Sequence, residues 1–101
     1  MNAPVEIAFQ GMDAQPAVRD TVYRHIASFE RRFGPIATGR VVLRSPHNGV
    51  AAPGPYEVDI DLTLPGGRNV FIGGGLQRDP RHANLDLAID DAFKWARTAA
   101  L

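Results

Sequence analysis

The sequence predicts an α+β fold: a β-α-β-β-β-α two-layer sandwich, with a four-stranded sheet and two helices on one of its faces. Three stretches carry this reading. Gln15 to Phe33 places Val18, Val22, Ile26, Phe29 and Phe33 at steps of four, four, three and four. At about 100° per residue these side chains share one narrow helical face. Tyr56 to Leu64 alternates without a break, with Tyr56, Val58, Ile60, Leu62 and Leu64 on one side and Glu57, Asp59, Asp61 and Thr63 on the other. Near the end, Leu85, Ala88, Ile89, Ala92, Phe93 and Ala96 form a second helical stripe. A chain of 101 residues has room for one core, so residues 1–101 are expected to form a single domain.

Taken in order, Val5 to Phe9 alternates Val5, Ile7 and Phe9 against Glu6 and Ala8, as a half-buried strand does. Gln10 to Asp13 turns into the first helix. Pro16 suits its first position, where no amide hydrogen bond is lost, and Gly34 and Pro35 stop it, the glycine as a left-handed cap. Ile36 to Arg44 reads as a second strand, with Val41 and Leu43 facing one way and Arg40, Val42 and Arg44 the other. Ser45 to Pro55, with its prolines and glycines, is expected to be a long mobile loop. After the third strand, Pro65-Gly66-Gly67-Arg68 turns the chain into a fourth, which begins at Asn69 to Ile72. Gly73-Gly74-Gly75 suggests a frayed strand end, and Gln77 to Ala83 a polar loop. Asn84 is a good N-cap for the last helix, along which Asp90 and Lys94 form a favourable i,i+4 pair.

Eleven basic and eleven acidic residues cancel. Their distribution is uneven. Between Ala17 and His47 lie Arg19, Arg24, Arg31, Arg32, Arg40 and Arg44 against Asp20 and Glu30, an excess of four, which hints at an anionic partner. There is no cysteine, so disulfides and thiolate metal sites are excluded. No stretch approaches the roughly 18 apolar residues of a membrane span, and a cytoplasmic protein is expected.

Glu57, Asp59 and Asp61 resemble a catalytic or metal-binding group, but alternating acids on a strand are the ordinary solvent side of a sheet. His25, His47 and His82 share no metal-ligand spacing. No GxSxG occurs, and the glycine run has no following Lys-Ser/Thr, so neither a hydrolase elbow nor a phosphate loop is present. Nothing points to an enzyme, a cofactor or a small-molecule substrate. Trp95 reads as the edge of a core rather than a base-stacking platform. The outer face of the first helix, Arg24 and Arg31 with His25 and Arg32 beside them, keeps two readings: a solvated surface, or a phosphate-binding surface that Lys94 and Arg97 would extend.

The order and spacing of several segments resemble the ribosome hibernation-promoting factors, also called ribosome-associated inhibitors or sigma-54 modulation proteins. The segments are Val5-Glu6-Ile7, Gly11-Met12-Asp13, Pro16-Ala17-Val18-Arg19, Phe29-Glu30-Arg31 and Val41-Val42-Leu43 leading to Pro46-His47. Val58 to Leu64 with Pro65-Gly66-Gly67, and Ala88 to Phe93, complete the set, so the likeness runs from about Val5 to Ala96. The resemblance implies the short form of the family, a β-α-β-β-β-α domain similar in outline to double-stranded-RNA-binding domains. It implies a non-enzymatic protein that binds rRNA of the small ribosomal subunit near the decoding centre and inhibits translation in stress or stationary phase. The residues it would turn toward RNA are Arg24, His25, Arg31, Arg32, Lys94 and Arg97. The chain departs from the family where a basic run usually ends the last helix: here it reads Trp95-Ala96-Arg97-Thr98-Ala99-Ala100-Leu101. That departure, with Trp95 and Leu101 as exposed apolar candidates, motivates the alternative of a protein-interaction or stress adaptor on the same fold.

Overall fold

The computed structural model describes residues 5–45, 56–73 and 84–101. The expected loop at Ser45 to Pro55 beyond Ser45, the glycine run beyond Gly73, and the polar stretch Gln77 to Ala83 lie outside these residues. The elements are β1 (Val5–Gln10), α1 (Pro16–Phe33), β2 (Thr38–Arg44), β3 (Glu57–Thr63), β4 (Asn69–Ile72) and α2 (Leu85–Ala100). This is the predicted order. The strands form one four-stranded sheet in the order β1-β2-β3-β4. β1 pairs parallel to β2, as the intervening helix requires, and β2, β3 and β4 form an antiparallel meander.

Side-chain alternation sends Val5, Val41, Leu43, Val58, Ile60, Leu62 and Val70 to the face the helices cover. There they meet Val18, Val22, Ile26 and Phe29 of α1 and Ala88, Ile89, Ala92, Phe93, Ala96 and Ala100 of α2 in one core. Full burial of each large aliphatic or aromatic side chain contributes about 1.5–3 kcal/mol, so this apolar face is what holds the layers together. β2 and β3 are one or two residues shorter at the ends than their alternation suggests, yet Ile36 and Leu64, just outside them, are buried and Tyr56 is half-buried. Gly39 lies opposite Val5 and Leu62 in the sheet. A Cβ there would meet Leu62 Cδ2 at 2.7 Å and the Asp61 carbonyl oxygen at 3.1 Å, so only glycine fits without displacement.

α1 ends as expected at Gly34, but by a different route. Its φ of 91° is positive while its ψ of 178° is extended, so the residue is not in the left-handed helical region. The Gly34 N–H still donates to the Glu30 carbonyl at 2.8 Å, and the Ile36 N–H donates to Glu30 Oε2 at 2.8 Å. Glu30 therefore guides the chain from α1 toward β2. At the other helix, Asn84 Oδ1 accepts from the Leu87 N–H at 3.3 Å, the predicted N-cap. The far end of α2 is held by Arg68, in the β3–β4 turn, whose Nη2 donates to the carbonyls of Ala100 (2.5 Å) and Leu101 (3.3 Å). These are among the carbonyls a helix end leaves without intrahelical partners.

Candidate nucleic-acid interface

The molecule has two unlike faces. The uncovered side of the sheet carries cross-strand rows: Glu6, Arg40, Asp61 and Phe71 in one, Gln10, Arg44 and Glu57 in another. Here the arginines are engaged. Arg40 Nε lies 3.5 Å from Glu6 Oε1, and Arg44 pairs with Asp59 and donates to Gln10 Oε1 at 3.1 Å. Asn69 Nδ2 donates to Asp61 Oδ1 at 2.7 Å. The acidic ladder of β3 is thus the solvent side of the sheet, laced to arginine and asparagine. Among the described residues no group of three or more His, Cys, Asp or Glu side chains could hold a metal ion.

The helical face distributes its charge differently. Val18, Val22, Ile26 and Phe29 bury one side of α1, which turns Arg24 and Arg31 to the opposite, exposed side. Arg24 Nη2 donates to Thr21 Oγ1 at 3.1 Å, within its own helix. Arg32 is exposed, with its guanidinium 5.3 Å from the centre of the Phe33 ring. On α2, Lys94 is exposed on the side opposite the buried stripe, and Arg97 is half-buried on the flank toward α1.

His25 lies at the seam between the helices. Its ring stacks on Phe93 at 5.0 Å between centres and 8° between planes, and its Nε2 is 3.2 Å from Asp90 Oδ1. Its side chain is 20% exposed. Burial holds its pKa below the ordinary 6.5; Asp90 opposes this, while Arg97 and Arg24 push the same way as burial. The structure therefore brings Arg24, His25 and Arg97 into one electrostatic neighbourhood. Arg31 and Arg32 follow along α1, Arg31 about 10 Å along the axis from Arg24 at 1.5 Å per residue.

Asp90 is the residue that sequence reasoning misplaced. Its carboxylate faces His25 across the seam rather than Lys94 on its own helix. The signal was the i,i+3 spacing of Asp90 and Phe93, which puts both on one flank of α2. Trp95, expected both as a core edge and as an exposed apolar candidate, is half-buried. Among the described residues, the exposed large apolar side chains are Phe71, Leu87 and Leu101, at 60%, 40% and 76%.

No family model matches the chain, and no curated protein matches it. Solved structures do. The N-terminal domain of Thermus thermophilus Protein Y superposes with a TM-score of 0.71 at 26% identity, over 99% of this chain and 96% of that one. This neighbour matches the hibernation-factor family that the sequence resembles. A ribosomal subunit interface protein from Coxiella burnetii shares the fold, with a TM-score of 0.60 at 18% identity over 93% of this chain and 89% of that one. The superposition on the Protein Y domain covers 99% of this chain, and so takes in the backbone of both helices and all four strands.

Proposed function

We propose that this chain is a non-enzymatic, ribosome-associated protein of the cytoplasm. Its helical face docks on small-subunit rRNA near the decoding centre and inhibits translation under stress or in stationary phase. The observation that carries this reading is the end-to-end likeness to the Protein Y N-terminal domain, together with the segments that resemble hibernation factors. The charge arrangement agrees with it. Arg40 and Arg44 are paired with acids on the sheet, whereas Arg24, Arg31, Arg32 and Lys94 are exposed on the helices and Arg97 is half-buried beside them. Cations so placed neutralise backbone phosphate, which gives affinity without reading sequence. His25 belongs to this surface as the group that joins its two helices.

The test is co-sedimentation with isolated small ribosomal subunits at low and moderate salt. Binding is expected to weaken steeply as salt rises, since each phosphate contact contributes to the slope. Arg24→Glu combined with Arg31→Glu is expected to weaken it by at least about tenfold, and Arg40→Gln on the sheet to leave it unchanged. Absence of binding at low salt would remove the reading. A pull-down for protein partners would then address the adaptor alternative, which Leu101 still favours by its exposure.

A further inference from the structure

The uncovered face of the sheet differs in charge from the helical side. Strand register sets Glu6, Glu57, Asp59 and Asp61 on it with Arg40 and Arg44, four carboxylates to two guanidinium groups. Arg44 is paired with Asp59. Arg40 Nε lies 3.5 Å from Glu6 Oε1, beyond a normal hydrogen bond, and the two side chains are 56% and 73% exposed. So exposed a pair contributes little and separates readily. A surface of this sign repels RNA phosphate and attracts a cation.

One aromatic group stands on the same face. Phe71 is the one exposed aromatic residue among the described residues. A Cβ placed on Gly73 would meet its Cε2 at 3.4 Å and its Cζ at 3.7 Å, so the ring leans along the strand toward that glycine. Its register partner across the strand pair is Asp61. Directly opposed side chains lie about 5 Å apart at Cβ, so one group can meet the ring and the carboxylate together. Asp61 Oδ1 accepts from Asn69 Nδ2 at 2.7 Å, which orients the carboxylate, and an ionised carboxylate has further lone pairs to offer. On the other side of Asp61, Glu6, Thr38, Arg40 and Thr63 help to line a groove of about 280 Å³. Pockets that enclose a whole small molecule start at about 300 Å³, so this groove suits a single side chain.

We propose that this face docks an arginine-bearing segment of a basic partner protein, with one guanidinium laid on Phe71 and paired to Asp61. Guanidinium fits both groups: it is planar and weakly hydrated, stacks on aromatic rings and pairs with carboxylates as a fork. An ammonium has neither the plane nor the fork. In an extended segment, a second arginine three residues along lies about 10 Å away, at about 3.3 Å per residue. That matches two strand spacings of about 4.8 Å, the step from Asp61 past Arg40 to Glu6 in their row. Glu6 then exchanges its long contact with Arg40 for the incoming guanidinium. The docking surface lies on the other side of the sheet from the helical cations and does not depend on rRNA binding by them.

The probe is an extended peptide with two arginines three residues apart among small polar residues, titrated by NMR into the isotope-labelled protein. Amide shifts are expected at Glu6, Asp61 and Phe71, and not along the outer face of α1. Asp61→Asn and Phe71→Leu are each expected to weaken binding by about threefold or more, the second because it keeps an apolar side chain and removes the π face. The same peptide with lysine in place of arginine is expected to bind about threefold more weakly or worse. No shift at the sheet face up to millimolar peptide, undiminished binding by both variants, or equal binding of the lysine peptide would overturn the proposal. Single-stranded oligouridylate is the counter-probe: shifts at Phe71 with RNA and none with the peptide would make the face a base-stacking platform and overturn it as well. The wild-type shifts and the lysine comparison need no variant to fold, so they decide even where a substitution disrupts the protein. Subunit co-sedimentation and peptide titration use different probes, so either reading can fail without the other.

Discussion

At the residue scale, His25 couples folding to pH. Its folded-state pKa lies below 6.5, chiefly because burial disfavours the charged ring. Below about pH 6.5 the unfolded chain therefore binds the proton that the folded chain resists. Stability is full above that value and declines as pH falls through 6.5 toward the lower folded pKa. His25→Gln removes this contribution. Thermal melts of both proteins at pH 7.5 and 6.0 are expected to show a larger drop in Tm for the wild type; equal drops would mean that burial at the seam does not disfavour protonation. The position of His25 was only partly legible. Its place beside the apolar stripe of α1 could be read from the helical period, but the same position suits a flank exposed to solvent. Only the approach of α2, bringing Phe93 and Asp90, makes it a seam residue. Glu30 is similar: its charge suggested partial neutralisation of the arginine face, whereas its side chain accepts from the Ile36 amide.

At the element scale, both helices were legible because their stripes repeat at the helical period and their ends carry recognisable signals, Pro16 and Asn84 at the starts and Gly34 at one end. β3 was equally clear from alternation. What periodicity does not encode is which elements hold each other's ends. Arg68 reads locally as a turn residue, yet it donates to the last carbonyls of α2 across 32 residues of sequence. Replacing it with alanine is expected to destabilise the protein by about 1 kcal/mol, with little change in the sheet. Hydrogen exchange would check this: faster exchange confined to the last turn of α2 is the expected outcome, and uniform acceleration or none would contradict it.

At the scale of the whole molecule, the excess of arginine in the first half becomes a difference between faces. Glu6 and Asp59 pair with Arg40 and Arg44 on the sheet, while Arg24, Arg31, Arg32 and Lys94 are exposed on the helices. Strand pairing makes this division, since it sets Arg40 beside both Glu6 and Asp61 in register. The linear sequence showed the charge excess but not its partition, because register depends on contacts between distant segments. The contrast between Arg24→Gln with Arg31→Gln on the helix and Arg40→Gln with Arg44→Gln on the sheet, each of which removes two positive charges, is therefore a test of face, not of net charge. Equal losses from both would mean that the protein acts through its overall field and not through an oriented surface.

The nearly parallel stack of His25 on Phe93 also makes the seam its own spectroscopic label. The two rings lie nearly parallel with their centres 5.0 Å apart, close enough for the phenyl ring current to displace the resonances of the imidazole's carbon-bound protons. They are expected away from the positions of an unstacked histidine, and Phe93→Leu is expected to return them there. Resonances that do not move in that variant would show the two rings to be apart in solution. Any event that separates the helices, whether partner binding, acid or heat, would then be visible as a shift at one residue before the rest of the spectrum changes.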